Sequence, residues 1–239
     1  MEHEIIGHTK KAIKVMKSHD KPFKEKTKEI IIEILIIVFA VSFAALIERT
    51  REHYKEKAEA KEFLIGLKGD LRDEINMLQQ SKKDMDSTRS NYTMVMKLKG
   101  SDVDSLENTH IKRSFNIASF NTRIVNGRYD GFKSSGKIQT IENDSLRNDI
   151  LEFYQQDLPT LDFTENAFND NQKRLTDLLI NNSDVMGDKP VDIIRLLASY
   201  RGKLILQFAI GYSKSVASNY DQCLEQAKKI KAEIESEYQ

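Results

Sequence analysis

The chain has 239 residues, with 37 Lys and Arg balanced by 37 Asp and Glu, one cysteine, three prolines and ten glycines. A net charge of zero provides no field to draw a polyanion, so nucleic acid is not an expected partner, and one cysteine excludes an intrachain disulfide framework. So few helix breakers among many Glu, Lys, Leu and Ile argue for long helices, and all-α is the expected fold class.

The first 29 residues form a basic amphipathic segment. Ile5, Ile6, Thr9, Ala12, Ile13 and Met16 share one helical face, and Lys10, Lys11, Lys14 and Lys17 fall mostly on the other. This is the pattern of a helix lying in a membrane interface, with the four lysines as candidate contacts to anionic lipid headgroups. A solvated helix packed on another subunit has the same pattern. Pro22 separates this segment from the apolar run beyond it.

Ile30–Ile47 is apolar except for Ser42 and one ionisable side chain, Glu33. As a helix it covers roughly 27 Å, close to the hydrocarbon thickness of about 30 Å, so a transmembrane helix is expected. The long charged lead before it argues against a cleaved signal peptide. Eight lysines precede the run, while Arg49, Arg51, Lys55, Lys57 and Lys61 come after it. The excess favours a cytoplasmic N-terminus and places the C-terminal domain outside the cytoplasm. Glu33 is the membrane-embedded polar candidate: it either reaches the headgroups, pairing with Lys28 or a partner chain, or turns toward a helix contact or pore.

Residues 48–239 read as one helical soluble domain. Leu64, Leu67, Leu71, Ile75, Leu78 and Met85 recur at spacings of three, four and seven, predicting a long helix to about Leu98 with weak points at Gly66 and Gly69. A second helix is expected over Leu106–Phe120, then a break over Asn121–Gly127. A short helix comes next, with Tyr129 and Phe132 facing the core and Gly136 capping it. Asn143 can cap a helix carrying Leu146, Ile150, Phe153 and Tyr154, with Pro159 after its end. Another helix is expected near Leu161–Asn181. The turn at Gly187–Pro190 then opens a last helix to about Glu237, with Ile194, Leu197, Leu204, Phe208, Tyr212 and Val216 as its apolar side. An antiparallel bundle whose last helix returns beside the first is the simplest packing.

Chemistry-bearing motifs are sparse. Gly131–Ile138 matches the phosphate-loop pattern except that Ile138 stands where a Ser or Thr would hold magnesium, and no apolar strand precedes it. His3, His8, His19, His53 and His110 lack zinc-site spacing, and Cys223 has no nucleophile signature and reads as a small buried hydrophobe. No metal, cofactor or enzymatic activity is expected.

Glu33-Ile34-Leu35-Ile36-Ile37-Val38 with its apolar continuation, Lys133-Ser134-Ser135-Gly136, and Leu146-Arg147 with Ile150 and Tyr154 carry a resemblance. In these stretches the chain resembles an uncharacterised family of bacterial single-span membrane proteins, a domain of unknown function. It departs after the span, where Glu48-Arg49-Thr50 replaces the asparagine-rich, tryptophan-bearing junction usual there. The resemblance implies the topology and a helical domain and adds no catalytic residue; the expected location is a bacterial inner membrane. The expected function is that of a membrane-anchored interaction or accessory module of the cell envelope, self-associating or bound to an envelope protein. The alternative is a homo-oligomeric pore with Glu33 facing its interior. A third, an extracytoplasmic sensor, requires an apolar pocket between helices.

Overall fold

The structure, a computed structural model, describes residues 7, 10, 13, 23–99, 102–103, 117–123, 126–182 and 190–238. The chain divides into two compact units, Met1–Glu59 and Ala60–Gln239. Both draw on one uninterrupted helix, α1, Phe23–Lys97.

In the first unit, α1 carries an 18-residue window of mean hydropathy 3.0, none of it buried, long and apolar enough to cross a membrane. Its large side chains stand in the open, Leu35 and Phe39 at 61% and 72% exposure. A soluble core helix would hide such residues. Gly7, Lys10 and Ile13 are helical and exposed. Lys11, Lys14 and Lys17 lie outside the described residues.

The second unit is built of helices, with no strand among the described residues. Its further elements are α2, Gly127–Ser134; a 3-10 turn, Lys137–Thr140; α3, Asp144–Glu152; a π turn, Phe153–Asp157; α4, Leu158–Ile180; α5, Pro190–Leu197; and α6, Tyr200–Glu237. Cross-contacts set the directions. Glu74 meets Tyr154 and Tyr92 meets Gln172, so α1 and the α3–α4 run are parallel. Asn171 meets Ile205 and Asp157 meets Gln222, so α6 is antiparallel to α4. Leu98 meets Lys203 and Lys61 meets Tyr238, so α6 also returns antiparallel to α1, as the sequence predicts.

On α1 the side chains of Leu64, Leu67, Leu71, Leu78, Met85 and Tyr92 are fully buried, each worth about 1.5–3 kcal/mol on removal from water. Gly66 has a use within this helix. A side chain there would collide with the Arg128 guanidinium, which crosses α1 to reach Asp70 at 2.7 Å. The expected short helix is α2, with Tyr129 buried and Phe132 stacked on Phe63 at 4.0 Å. Gly136 comes after it at φ 75°, the left-handed conformation glycine adopts without strain. Residues Gly131–Ile138 are therefore the end of a helix and a 3-10 turn. Their Ser135 and Gly136 amides are spent on the Gly131 and Lys133 carbonyls.

Three expectations need correction. Residues 117–120, the described end of the expected Leu106–Phe120 helix, are not helical. The helix capped by Asn143, whose Oδ1 accepts from the Leu146 amide at 3.1 Å, does not end before Pro159. It widens into the π turn, where the Leu158 amide bonds back to the Phe153 carbonyl, and then continues as α4. The wider turn accommodates a proline that has no N–H to donate. The last helix is two, because Ser199 is extended and its hydroxyl accepts from the Gly202 amide at 3.2 Å, starting α6 afresh. Gly202 is required there: any Cβ would run into the Leu196 and Leu197 carbonyls. The break resets the helical phase. Ile194, Leu197 and Val216 are buried as expected, but Leu204, Phe208 and Tyr212 point outward, and Leu206, Ala209 and Tyr220 take the core face.

Candidate functional site

An extended strap, residues 117–123, runs antiparallel to α4 and is held by side chains of α1, α4 and α6. Thr122 reaches Ser81 of α1 on one side and Glu165 of α4 on the other. An extended chain cannot satisfy its own backbone, so neighbours must. The Asn169 amide does so at Phe120, donating to its carbonyl at 2.6 Å and accepting from its N–H at 2.9 Å. Glu165 accepts from the Thr122 N–H at 2.9 Å and from its hydroxyl at 2.5 Å, and also from the Tyr220 hydroxyl of α6. The Ala118 backbone bonds the Tyr92 hydroxyl, which donates to Gln172 at 2.5 Å. The anchored positions are every second strap residue, and Glu165 and Asn169 are four apart on α4. Two extended residues rise about 6.6 Å and four helical ones about 6 Å, so the two repeats stay in step.

The Phe120 ring meets Phe168 edge-on at 5.6 Å, sealing the strap to the apolar core. Clefts of about 470 Å³ and 500 Å³ flank it. The first lies against Ser81, Asp84 and Asn91 of α1, the second against Asn166, Lys173 and Asp177 of α4. Both are open and mostly polar, unlike the apolar pocket that a small-molecule sensor needs.

A second buried carboxylate sits lower in the bundle. Glu74, 2% exposed, receives the Tyr154 hydroxyl at 3.1 Å. Tyr154 lies on the π turn and stacks on Tyr129 at 4.3 Å. Burial pushes the Glu74 carboxyl up to about 7; the Tyr154 bond opposes the shift and Asp70 adds to it. Burial likewise pushes the Tyr154, Tyr92 and Tyr220 phenols up, keeping them neutral donors.

The unfolded chain ionises Glu74 near 4.5, whereas the folded chain holds the proton to about 7. Its stabilising contribution is thus complete below 4.5 and lost as pH rises to 7. Glu74→Gln is expected to flatten this dependence and to stabilise the protein at pH 8 by on the order of 2–3 kcal/mol. Urea midpoints at pH 5 and pH 8 check it; an unchanged difference between them would show that Glu74 does not titrate in this range.

Glu33 falls on α1 within the apolar window, half-buried and engaged in a polar interaction of its own. The structure does not bring Lys10 together with it in any described contact. No group of three or more His, Cys, Asp or Glu side chains able to hold a metal ion occurs among the described residues. Sequence reasoning misses the strap anchors, because Asn169, Glu165 and Tyr220 are ordinary helix-surface types until their distant partner is known. Only the period-two spacing of Ala118, Phe120 and Thr122 signals them. Compared with protein families, characterised proteins and solved structures, the chain matches none.

Proposed function

We propose that this protein is a membrane-anchored helical interaction module of a bacterial cell envelope, without catalytic activity. Ile30–Ile47 holds it in the inner membrane, the N-terminus lies in the cytoplasm with Lys10, Lys11, Lys14 and Lys17 at lipid headgroups, and residues 48–239 lie outside. Its partners are the bilayer and either further copies of itself or an envelope protein. One observation carries this reading: α1 supplies both the apolar window and a fully buried face of the bundle. In addition, the buried polar groups Glu165, Thr122, Tyr220 and Asn169 are engaged in holding the strap, which supports a structural role for them. The resemblance to single-span bacterial proteins points the same way.

Cys223 makes the orientation testable. It is 1% exposed, and its thiol is pushed up to about 12 by burial, with Asp157 and Glu165 adding to the shift, so the native thiol is expected to be inert to maleimides. A cysteine placed at exposed Lys228 (Lys228→Cys) then reports alone. Labelling of intact spheroplasts by an impermeant maleimide is the expected result. Labelling only after lysis would reverse the topology, and recovery in the soluble fraction would remove the anchor.

A pore reading rests on Glu33 within the window and on Ala40, Ser42, Ala44 and Ala45, which permit close helix contact. Ion flux through vesicles that is lost on Glu33→Gln would favour it; flux indistinguishable from empty vesicles would leave the anchored module.

A further inference from the structure

The short helix α2 lies on the surface of the bundle. Of its residues Tyr129 alone is buried and Phe132 is half-buried, and the others are exposed. Among the described contacts, three side chains attach it. Arg128 passes over Gly66 to reach Asp70 of α1 at 2.7 Å, and Phe132 stacks on Phe63 of α1 at 4.0 Å. Tyr129 stacks on Tyr154 of the π turn at 4.3 Å, and its hydroxyl accepts from the Gln155 amide at 2.8 Å. An element with so few buried contacts belongs to the low-stability end of a fold and opens before the core does.

Glu74 is joined to this attachment through Tyr154, whose hydroxyl is shared between the two carboxylate oxygens at 3.1 and 3.3 Å. No cation pairs with Glu74 among the described residues. Asp70, one turn earlier on α1, has the same sign of charge and holds Arg128 of α2 to itself. The π turn offers Tyr154, with Tyr129 of α2 stacked behind it, and α6 offers the Cys223 thiol, on which Asp157 and Glu165 also act. A buried carboxyl in such a place is tolerated while it keeps its proton and is costly once it ionises. Water or the Arg128 guanidinium reaches an ionised Glu74 when the Tyr154–Tyr129 stack parts.

We propose that the proton on Glu74 latches α2 to the bundle: with the carboxyl neutral α2 stays docked through the Tyr154–Tyr129 stack, and with it ionised α2 lifts away, uncovering Phe63 and Tyr154. The latch goes beyond the anchored-module reading and does not depend on it. Docked, Glu74 holds its proton to about 7; solvated, it holds the proton only to about 4.5. Docking is therefore favoured most below 4.5 and weakens as pH rises to 7. The opening constant of α2 rises on the order of fiftyfold between pH 5 and pH 8.

Hydrogen exchange of the full-length protein in detergent, with rates divided by the intrinsic amide rates at each pH, tests the latch. Amides of residues 130–136 are expected to exchange faster than those of Tyr220–Ile230 in α6 at both pH 5 and pH 8, and to lose protection on the order of fiftyfold between the two. Glu74→Gln is expected to leave α2 equally protected at both. Tyr154→Phe keeps the ring stack and removes the bond that opposes the shift, so the loss of protection is expected to move to higher pH; this readout serves even where Glu74→Gln does not fold. Equal protection of α2 at pH 5 and pH 8 in the unsubstituted protein would overturn the proposal, as would a loss that persists in Glu74→Gln or stays at the same pH in Tyr154→Phe. Amides of α2 as slow as those of α6 would also overturn it, because Glu74 would then act on the bundle as a whole and not on α2.

Discussion

Glu165→Ala is expected to destabilise the bundle by about 3–5 kcal/mol and to free the strap. Three donors converge on this carboxylate, the Thr122 N–H, the Thr122 hydroxyl and the Tyr220 hydroxyl, and Glu165 is itself 2% exposed. Each buried donor left without an acceptor costs about 1–3 kcal/mol, the fully buried Tyr220 hydroxyl most of all, because Thr122 is only part-buried beside the strap's clefts. Glu165→Gln keeps one acceptor oxygen and the side-chain volume, and about half that loss is expected. Denaturant midpoints give the energies. Hydrogen exchange locates them: amides of residues 118–122 should lose protection in Glu165→Ala while those of α6 beyond Leu224 keep theirs. Equal loss throughout would mean that the strap and bundle open as one unit, and an unchanged midpoint would show that the seam contributes nothing.

Arginine at both Leu35 and Phe39 is expected to abolish membrane retention. Each arginine near the centre of a span costs about 2.5–3.5 kcal/mol on insertion, so the pair costs about 5–7 kcal/mol, enough to reverse a partition that favours insertion. The bundle's thermal midpoint is expected to stay the same, since its core begins at Ala60 and neither residue belongs to it. Flotation with liposomes separates the outcomes. A double variant that still floats with the bilayer would show that the apolar window lies on the membrane or in a protein contact instead of across it.

These two sites differ in how far they are legible without the fold. The window around Leu35 and Phe39 declares itself through composition alone, because hydrocarbon excludes charge whatever the rest of the chain does. The α1 face through Leu64, Leu71, Leu78 and Met85 is equally plain, since its spacing arises from helical geometry. Asn143 as a cap and Gly136 as a helix stop are also visible, each depending only on its immediate neighbours. By contrast, the local pattern of residues 117–120 reads as helix. Their extended form depends on Asn169 and Glu165, more than 40 residues away, supplying the partners that a helix would have found within itself.

The same division holds on α6. Leu204, Phe208 and Tyr212 have the apolar character of a core, and only the Ser199 break, which turns the helix by setting its start, decides that Leu206 and Ala209 face inward. Sequence by itself therefore determined the all-helical class, the apolar window and the principal helix face, because local periodicity and solvent partition need no knowledge of distant residues. Tertiary structure alone decided the strap, the elevated Glu74 carboxyl and the outward turn of Leu204, Phe208 and Tyr212. Each of these depends on which groups meet across the bundle, and burial and hydrogen bonding act on that meeting, not on the order of residues along the chain.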